Sequence, residues 1–511
     1  MASTSANSPS LSKSKNMDSD ATPEKILLGI DIGGTYSRVA VIKFKENTEN
    51  KKADSFEVTY IKEIPSVVSF LENGKCLVGA EAEKRIFRRP LNTFHATKRL
   101  IGRRFDEDEV KNSKKCVGYV ISKNADDGRA YLFTDQGNWA LTIAQFEALI
   151  LLKLKEFCEK ELKITIRDIA LTIPPYFVSS YQTQVVFQAA SIAGLHVSRV
   201  FYSPKAAIIG FGVDHDTLKG VKNVIIYDFG GTSFNATVVV FEEGDYHEGT
   251  IMSTVQNHFL GGQNLDEKLM DHFVTELQHK LGITNCTLSK SAIHQLRMLA
   301  KNTKEHLSTC MEVDVIVSGI FIENWVSQDE HVHHPKPKST SRNATFIESL
   351  TIQVTRNKFE ELVTDLIEST IILCFEALNK AKIRISKDVK VEFLAVGGTS
   401  RIPKVQATIE KYFEKKPFEI TSTKYDYSSI NVIGAALSAS MPRYKSPKQL
   451  CTSAIRVPEF VREGEVYRSR IVDDDKARTS DATVTSPSRT PILDISVTED
   501  LTGSIICKTC R

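Results

Sequence analysis

The sequence carries one short device twice. Residues 29–37 read GIDIGGTYS and residues 227–235 read YDFGGTSFN, so Asp31 and Asp228 each open the pattern D-x-G-G-T. Apolar, β-branched runs flank both copies, KILLGI and SRVAVIKF around the first, NVIIY and NATVVVF around the second. Such flanks around paired glycines read as a strand, a tight turn and a returning strand. A turn without β-carbons lets backbone N–H groups approach an anion closely. Two such turns facing each other across a cleft would grip a polyphosphate from both sides. Asp31 and Asp228 would then hold Mg²⁺, which keeps several waters and takes only one or two protein carboxylates. Thr35, Tyr36 and Ser233 add hydroxyl or backbone donors. One copy alone would read equally as a plain hairpin turn. Two copies point to two similar halves sharing one cleft.

A third glycine turn, VGGTSR at residues 396–401, joins a buried strand to a helical stretch. Such a junction presents helix N-terminal donors, and Arg401 beside it is suited to stack on a base. Residues 144–162 and 358–381 space their apolar side chains as amphipathic helices that would pack against a sheet. A chain of 511 residues exceeds one ordinary core. The organisation expected is a disordered arm at 1–23, lobe I at 24–215, lobe II at 216–440 and a divergent, largely disordered tail at 441–511. Residues 327–347 read as a polar loop inserted in the second lobe. The fold class is α/β.

Composition removes several function classes. Lys and Arg number 66 against 63 Asp and Glu, a balance that argues against nucleic acid or a membrane surface as partner. Nine scattered cysteines do not form a disulfide framework. No apolar run approaches the roughly 20 residues of a membrane span. Residues 1–23 contain no apolar signal region, so a cytoplasmic location is expected, with the nucleus as alternative. HVHH at 331–334 and CKTC at 507–510 read as solvated segments, since structural zinc takes four ligands.

Further stretches fall in a fixed order around the turns: IPSVVSF (64–70), NTFHATKRLIGRRFDED (92–108), IPPYF (173–177), FLGGQNLD (259–266) and IGAAL (433–437). Together with the turns they resemble the seventy-kilodalton heat-shock (DnaK-type) chaperone family, in its actin-like ATPase domain. The resemblance covers about residues 25–440. NTFHATKRLIGRRF is its most discriminating segment, because sugar kinases of the same superfold share D-x-G-G-T but not this stretch. The resemblance implies two duplicated lobes with a nucleotide cleft between them, ATP or ADP as cofactor and Mg²⁺ at Asp31 and Asp228. It places Lys98 where an attacking water is oriented and Ser233 facing the terminal phosphate. Gly33, Gly34, Thr35 and Tyr36 fall on the first phosphate loop, and Gly230, Gly231 and Thr232 on the second. Gly261 and Gly262 match a phosphate-side glycine pair. Lys304 and Ser308 fall on the nucleoside helix, and Gly397, Gly398 and Arg401 on the adenine side. Implied partners are J-domain co-chaperones or nucleotide-exchange factors, around a monomer.

Departures from the family pattern qualify the activity. A glutamate of the family is Ser203 here, and an aspartate closing the second loop is Asn235. Gly34 replaces a threonine and Thr232 a glycine; Gln263 and Asn264 stand where acids are expected. On the nucleoside helix Glu305 replaces an arginine and Lys301 a glutamate; Gln182 replaces the arginine that relays nucleotide state. No acidic, leucine-rich linker follows IGAAL, and the tail is too short for sandwich plus lid, so no peptide-binding β-sandwich is expected. That layout resembles the Stch-type truncated members. Two neutral residues for two carboxylates weaken attraction for Mg²⁺. The reading is a chaperone-family ATP-binding protein with slow Mg²⁺-dependent hydrolysis. The alternative is a nucleotide-binding pseudo-enzyme that engages co-chaperones, and a sugar kinase is disfavoured by NTFHATKRLIGRRF.

Overall fold

The computed structural model describes residues 25–439 apart from 46–54, 73–74, 87, 125–126, 135–139, 178–179, 213–220, 243–248, 285–286, 289, 324–325, 328–343, 387–388 and 419–425, together with 458–463 and 466–471. Two sheets repeat one plan. In the first, strand Lys25–Asp31 pairs antiparallel with Tyr36–Lys45, which continues antiparallel to Ser55–Pro65. On its other side it pairs parallel with Asp168–Ile173, followed by His196–Tyr202. In the second, Asn223–Phe229 pairs antiparallel with Phe234–Val240, then Thr250–Asn257, and parallel with Glu392–Val396. Each central strand therefore ends in a D-x-G-G-T turn, with a meander on one side and a crossover-fed parallel strand on the other. The expected duplicated α/β architecture is present.

Alternation explains the cores. Ile30 and Leu28 face one side of the first sheet, against helix Ile143–Leu162, whose N-terminal half is buried from Ile143 to Leu152. That helix opens on a capping box, Thr142 accepting from the Gln145 amide at 3.0 Å while Gln145 reaches back to the Thr142 amide at 2.9 Å. Ile225, Tyr227 and Phe229 do the same in the second sheet, against helices Gly262–Leu281 and Arg356–Lys380.

Two apolar helices join the halves. Helix Ser203–Gly212 packs Ala207, Ile208 and Phe211 on the second sheet, whereas Ile430–Ser438 packs Val432, Ile433 and Ala436 on the first. Ile430–Ser438 thus belongs by sequence to the second half and by packing to the first. The helices cross without side chains between them: a β-carbon on Gly210 would lie 2.2 Å from the Ile430 carbonyl oxygen, and one on Gly434 1.8 Å from that of Ala206. Residues 344–347 of the expected polar loop are strand, pairing with Ile320–Glu323, because ATFI supplies a β-branched, aromatic run. In the tail, Pro458–Glu463 and Val466–Ile471 form an antiparallel pair, a hairpin absent from the sequence reading. The HVHH and CKTC segments lie outside the described residues. Among the described residues no helix is long and apolar enough to cross a membrane.

Candidate functional site

The two glycine turns touch. A β-carbon on Gly34 would lie 2.3 Å from Thr232 Oγ1, and one on Gly231 2.3 Å from Thr35 Oγ1. Each turn therefore presents a threonine to the other's glycine, a reciprocal fit that a side chain on either glycine would destroy. A third junction abuts them: Gly397, at φ +86°, would bring a β-carbon within 3.1 Å of Asp228 Oδ1. That left-handed conformation and the close approach both call for glycine.

Each turn is held from behind by its carbonyls. Ser66, from IPSVVSF, donates its hydroxyl to the Gly33 carbonyl at 2.7 Å and its amide to the Thr35 carbonyl at 2.8 Å. In the second turn the Gly230 carbonyl accepts from the Gly262 amide at 3.0 Å and Thr399 Oγ1 at 3.0 Å, and the Gly231 carbonyl from the Gln263 amide at 2.8 Å. These bonds occupy carbonyls of both turns, and both turns line one cavity. Gly261 and Gly262 thus differ from their expected place on the phosphate side. They stand behind the second turn, and the first amides of helix Gly262–Leu281 are spent on its carbonyls rather than offered to a phosphate.

In front of the turns lies a cavity of about 710 Å³, with Asp31, Lys98, Asp228 and Ser233 on its wall. Gly33, Gly34, Thr35, Tyr36, Gly230, Gly231 and Thr232 also line it. Lys98 belongs to the 3₁₀ segment Thr97–Leu100, entered through Ala96 at φ 55°. Adjacent residues on such a turn diverge by a third of a revolution. Lys98 faces the cavity while Arg99, buried, reaches back to donate to the Thr232 carbonyl at 2.5 Å. One short motif thereby supplies a cationic wall residue and a clamp on the opposite half's turn.

Carboxylate chemistry follows from burial. Asp31 accepts from Thr172 Oγ1 at 2.5 Å. Asp228 is pushed up to about 6, by burial first, with the Asp31 charge adding to the rise and the Lys98 charge, an Asn235 hydrogen bond and Arg38 opposing it. Asn235 is thus a neutral donor to Asp228 where a second acid was expected. Ser203 also lines the cavity, its hydroxyl donating to the Ile173 carbonyl at 3.1 Å.

The nucleoside-side residues meet at the far end. Ser308, Gly397, Gly398, Arg401 and Lys304 line the cavity. Lys304 is tied down, its ammonium 2.7 Å from Asp266 and 3.1 Å from the Gly262 carbonyl, so it is a wall rather than an extended arm. Arg401 pairs with Asp426 at 2.7 Å and Ser428 Oγ at 3.0 Å at the rim. Lys301 bridges the halves, its ammonium 2.9 Å from Glu83 and 4.8 Å from the Tyr36 ring centroid. Burial opposes its charge, but Tyr36 and Glu83 outweigh that and raise its pKa.

Arg38 and Glu147 are among the charged residues that no motif in the sequence singled out. Arg38 lines the cavity, paired with Glu63. Counting back around the first hairpin would have found it, since Arg38 stands opposite Asp31. Glu147 lies beneath the Lys98 segment, accepting from Thr97 Oγ1 at 3.0 Å. Its only signal is one acid inside an apolar helical run.

The donor set suits a nucleotide with a divalent ion. Two touching glycine turns fit a polyphosphate, the buried Thr35 hydroxyl oxygen between them has no hydrogen-bond partner among the described residues, and two carboxylates match the count Mg²⁺ takes. Among the described residues no group of three or more His, Cys, Asp or Glu converges as a metal cage. Comparison with known proteins supplies the family. The Hsp70 protein family model matches residues 27–445. The chain is similar to heat shock protein hsp-6 of Caenorhabditis elegans, 35% identical over 395 residues that cover 77% of this chain and 54% of the relative. It thus spans about half the length of this curated relative. With its motifs in family order on a two-lobed, actin-like α/β fold, this chain belongs to the Hsp70 family.

Proposed function

We propose that this chain binds ATP and ADP with Mg²⁺ between the glycine turns, hydrolyses ATP slowly and serves protein folding or stress response through partner proteins. The carrying observation is the contact of the two turns above one wall bearing Asp31, Asp228 and Lys98. When bound, Mg²⁺ neutralises phosphate charge and polarises the bond to be broken. Asp31 and Asp228 would hold it, directly or through water, while the turn amides and Ser233 orient the phosphates. Lys98 positions the attacking water and meets charge developing on the terminal phosphate. Ser308, Gly398 and Arg401 receive the nucleoside. J-domain co-chaperones and nucleotide-exchange factors are the partner classes, the chain acting as a monomer in the cytoplasm.

Slow turnover follows from Asn235 and Ser203. A carboxamide donates to Asp228 and a neutral hydroxyl, bonded to the Ile173 carbonyl, replaces an acid, so fewer negative groups order the cation and water. The same observation favours a second reading, a nucleotide-binding regulator without useful turnover. Single-turnover hydrolysis with Mg²⁺ separates them. In the first reading Lys98→Ala lowers the rate about tenfold, roughly 1.4 kcal/mol of transition-state stabilisation, with ADP affinity nearly unchanged. Equal rates for wild type and Lys98→Ala would leave only the regulator, and no binding at millimolar ATP or ADP would remove both.

Release of nucleotide requires the halves to part, and Lys301–Glu83 opposes parting. Both side chains are mostly covered, which makes the pair stronger than a fully exposed one. Lys301→Ala is expected to speed release of fluorescent ADP about fivefold, equivalent to ~1 kcal/mol. The exchanged pair, Lys301→Glu with Glu83→Lys, should return the rate toward wild type; failure of that rescue would count against a latch.

A further inference from the structure

The cleft holds a built-in positive charge. Arg38, on strand Tyr36–Lys45, stands directly opposite Asp31 on one neighbour and Glu63 on the other. Directly opposed residues share a face with β-carbons about 5 Å apart. An acid, a guanidinium and an acid therefore run abreast across three strands, and all three line the cavity. The Arg38 side chain is only 14% exposed. One terminal nitrogen pairs with Glu63, while Nε is buried with no hydrogen-bond partner among the described residues.

A fixed guanidinium here acts twice on an incoming nucleotide. It attracts phosphate oxygens, for which a planar fork of N–H donors is well suited. It also repels a divalent cation lodged between Asp31 and Asp228, because like charges a few ångströms apart in a partly dry cleft interact strongly. The neutral Ser203 and Asn235 act in the same direction, removing negative charge that would favour the cation.

We propose that Arg38 is a resident counter-ion for the nucleotide phosphates, so that this chain binds ADP nearly as well without Mg²⁺ as with it. The inference rests on the nucleotide reading above and concerns binding, not turnover. Glu63 is the tether that positions Arg38 and partly masks its charge.

Calorimetric titration of the full chain with ADP, in millimolar Mg²⁺ and in excess EDTA, tests it. Wild type is expected to lose less than about threefold in affinity when Mg²⁺ is removed. Arg38→Gln should lose about thirtyfold in EDTA but only a few-fold with Mg²⁺, restoring metal dependence. Glu63→Gln unmasks the guanidinium and should tighten metal-free ADP about threefold. Thermal melting of each apo variant separates misfolding from lost binding, and Arg38→Met, which removes the charge but keeps an extended side chain, carries the test if Arg38→Gln does not fold. Wild-type affinity collapsing about a hundredfold in EDTA, or the same Mg²⁺ ratio in the Arg38 variants as in wild type, overturns the inference and leaves the nucleotide reading standing. No ADP binding in either buffer overturns both.

Discussion

A Gly231→Val variant is expected to lose about a hundredfold in ADP affinity, ~2.7 kcal/mol, while keeping its fold. The first added carbon would lie 2.3 Å from Thr35 Oγ1 and 3.0 Å from Thr35 Cβ, distances that side chains do not tolerate. The second turn is clamped from behind by Gly262, Gln263, Thr399 and Arg99, so it cannot retreat. The first is held by Ser66. Relief comes only by spreading the cleft, which separates the two turns and removes one grip on the phosphates. Relocating one oriented donor set by about 1 Å is enough to forfeit most of its interaction. A structural rescue makes the point specific. Gly231→Ala should weaken ADP less than valine does, and adding Thr35→Gly should recover most of the loss by emptying the space. Binding by Gly231→Val at wild-type strength in calorimetry would mean that the turns do not close on a ligand together.

Glu147→Gln is expected to stabilise the fold by about 3 kcal/mol at pH 8, with the gain falling below about 1 kcal/mol at pH 5. Glu147 is 1% exposed; one oxygen accepts from Thr97 and the other has no partner among the described residues. Burial raises the carboxyl from an ordinary 4.5 to about 7, with the Thr97 hydrogen bond and the Lys98 charge opposing. Between those values the folded protein keeps a proton that the unfolded chain has released. Stability from this proton is full below about pH 4.5 and is lost as pH rises through 7. Glutamine keeps the acceptor for Thr97 and has no proton to lose. Urea unfolding of both proteins at the two pH values measures the difference. A gain independent of pH would contradict the titration, and a loss at pH 8 would mean that the ionised acid is anchoring Lys98.

The sequence by itself determined the parts of this protein that rest on neighbours in the chain. Strand, glycine pair and returning strand are local, because a two-fold alternation of apolar residues and the absence of a β-carbon act within a few positions. Asp31, Asp228 and both turns were therefore legible, as were the amphipathic helices over 144–162 and 358–381. The Lys98 segment was legible through a motif whose two sides, Lys98 to the cavity and Arg99 to the Thr232 carbonyl, became distinct only in three dimensions. Strand ATFI at 344–347 was too short a run to stand out from polar surroundings.

Only the tertiary structure decided which distant residues meet. Glu83 meets Lys301 over a separation of 218 residues, and Glu147 meets Thr97 over 50. Such pairs depend on how helices seat on sheets, which no local pattern encodes. Gly261 and Gly262 moved from the front of the second turn to its back because their helix's first amides met carbonyls there. Arg38 acquired a role through strand register, which placed it between Asp31 and Glu63. A shift of one position would have turned it to the opposite face. The duplicated turn is thus written in the chain, whereas the charges that surround it were set by strand register and by how helices and halves pack.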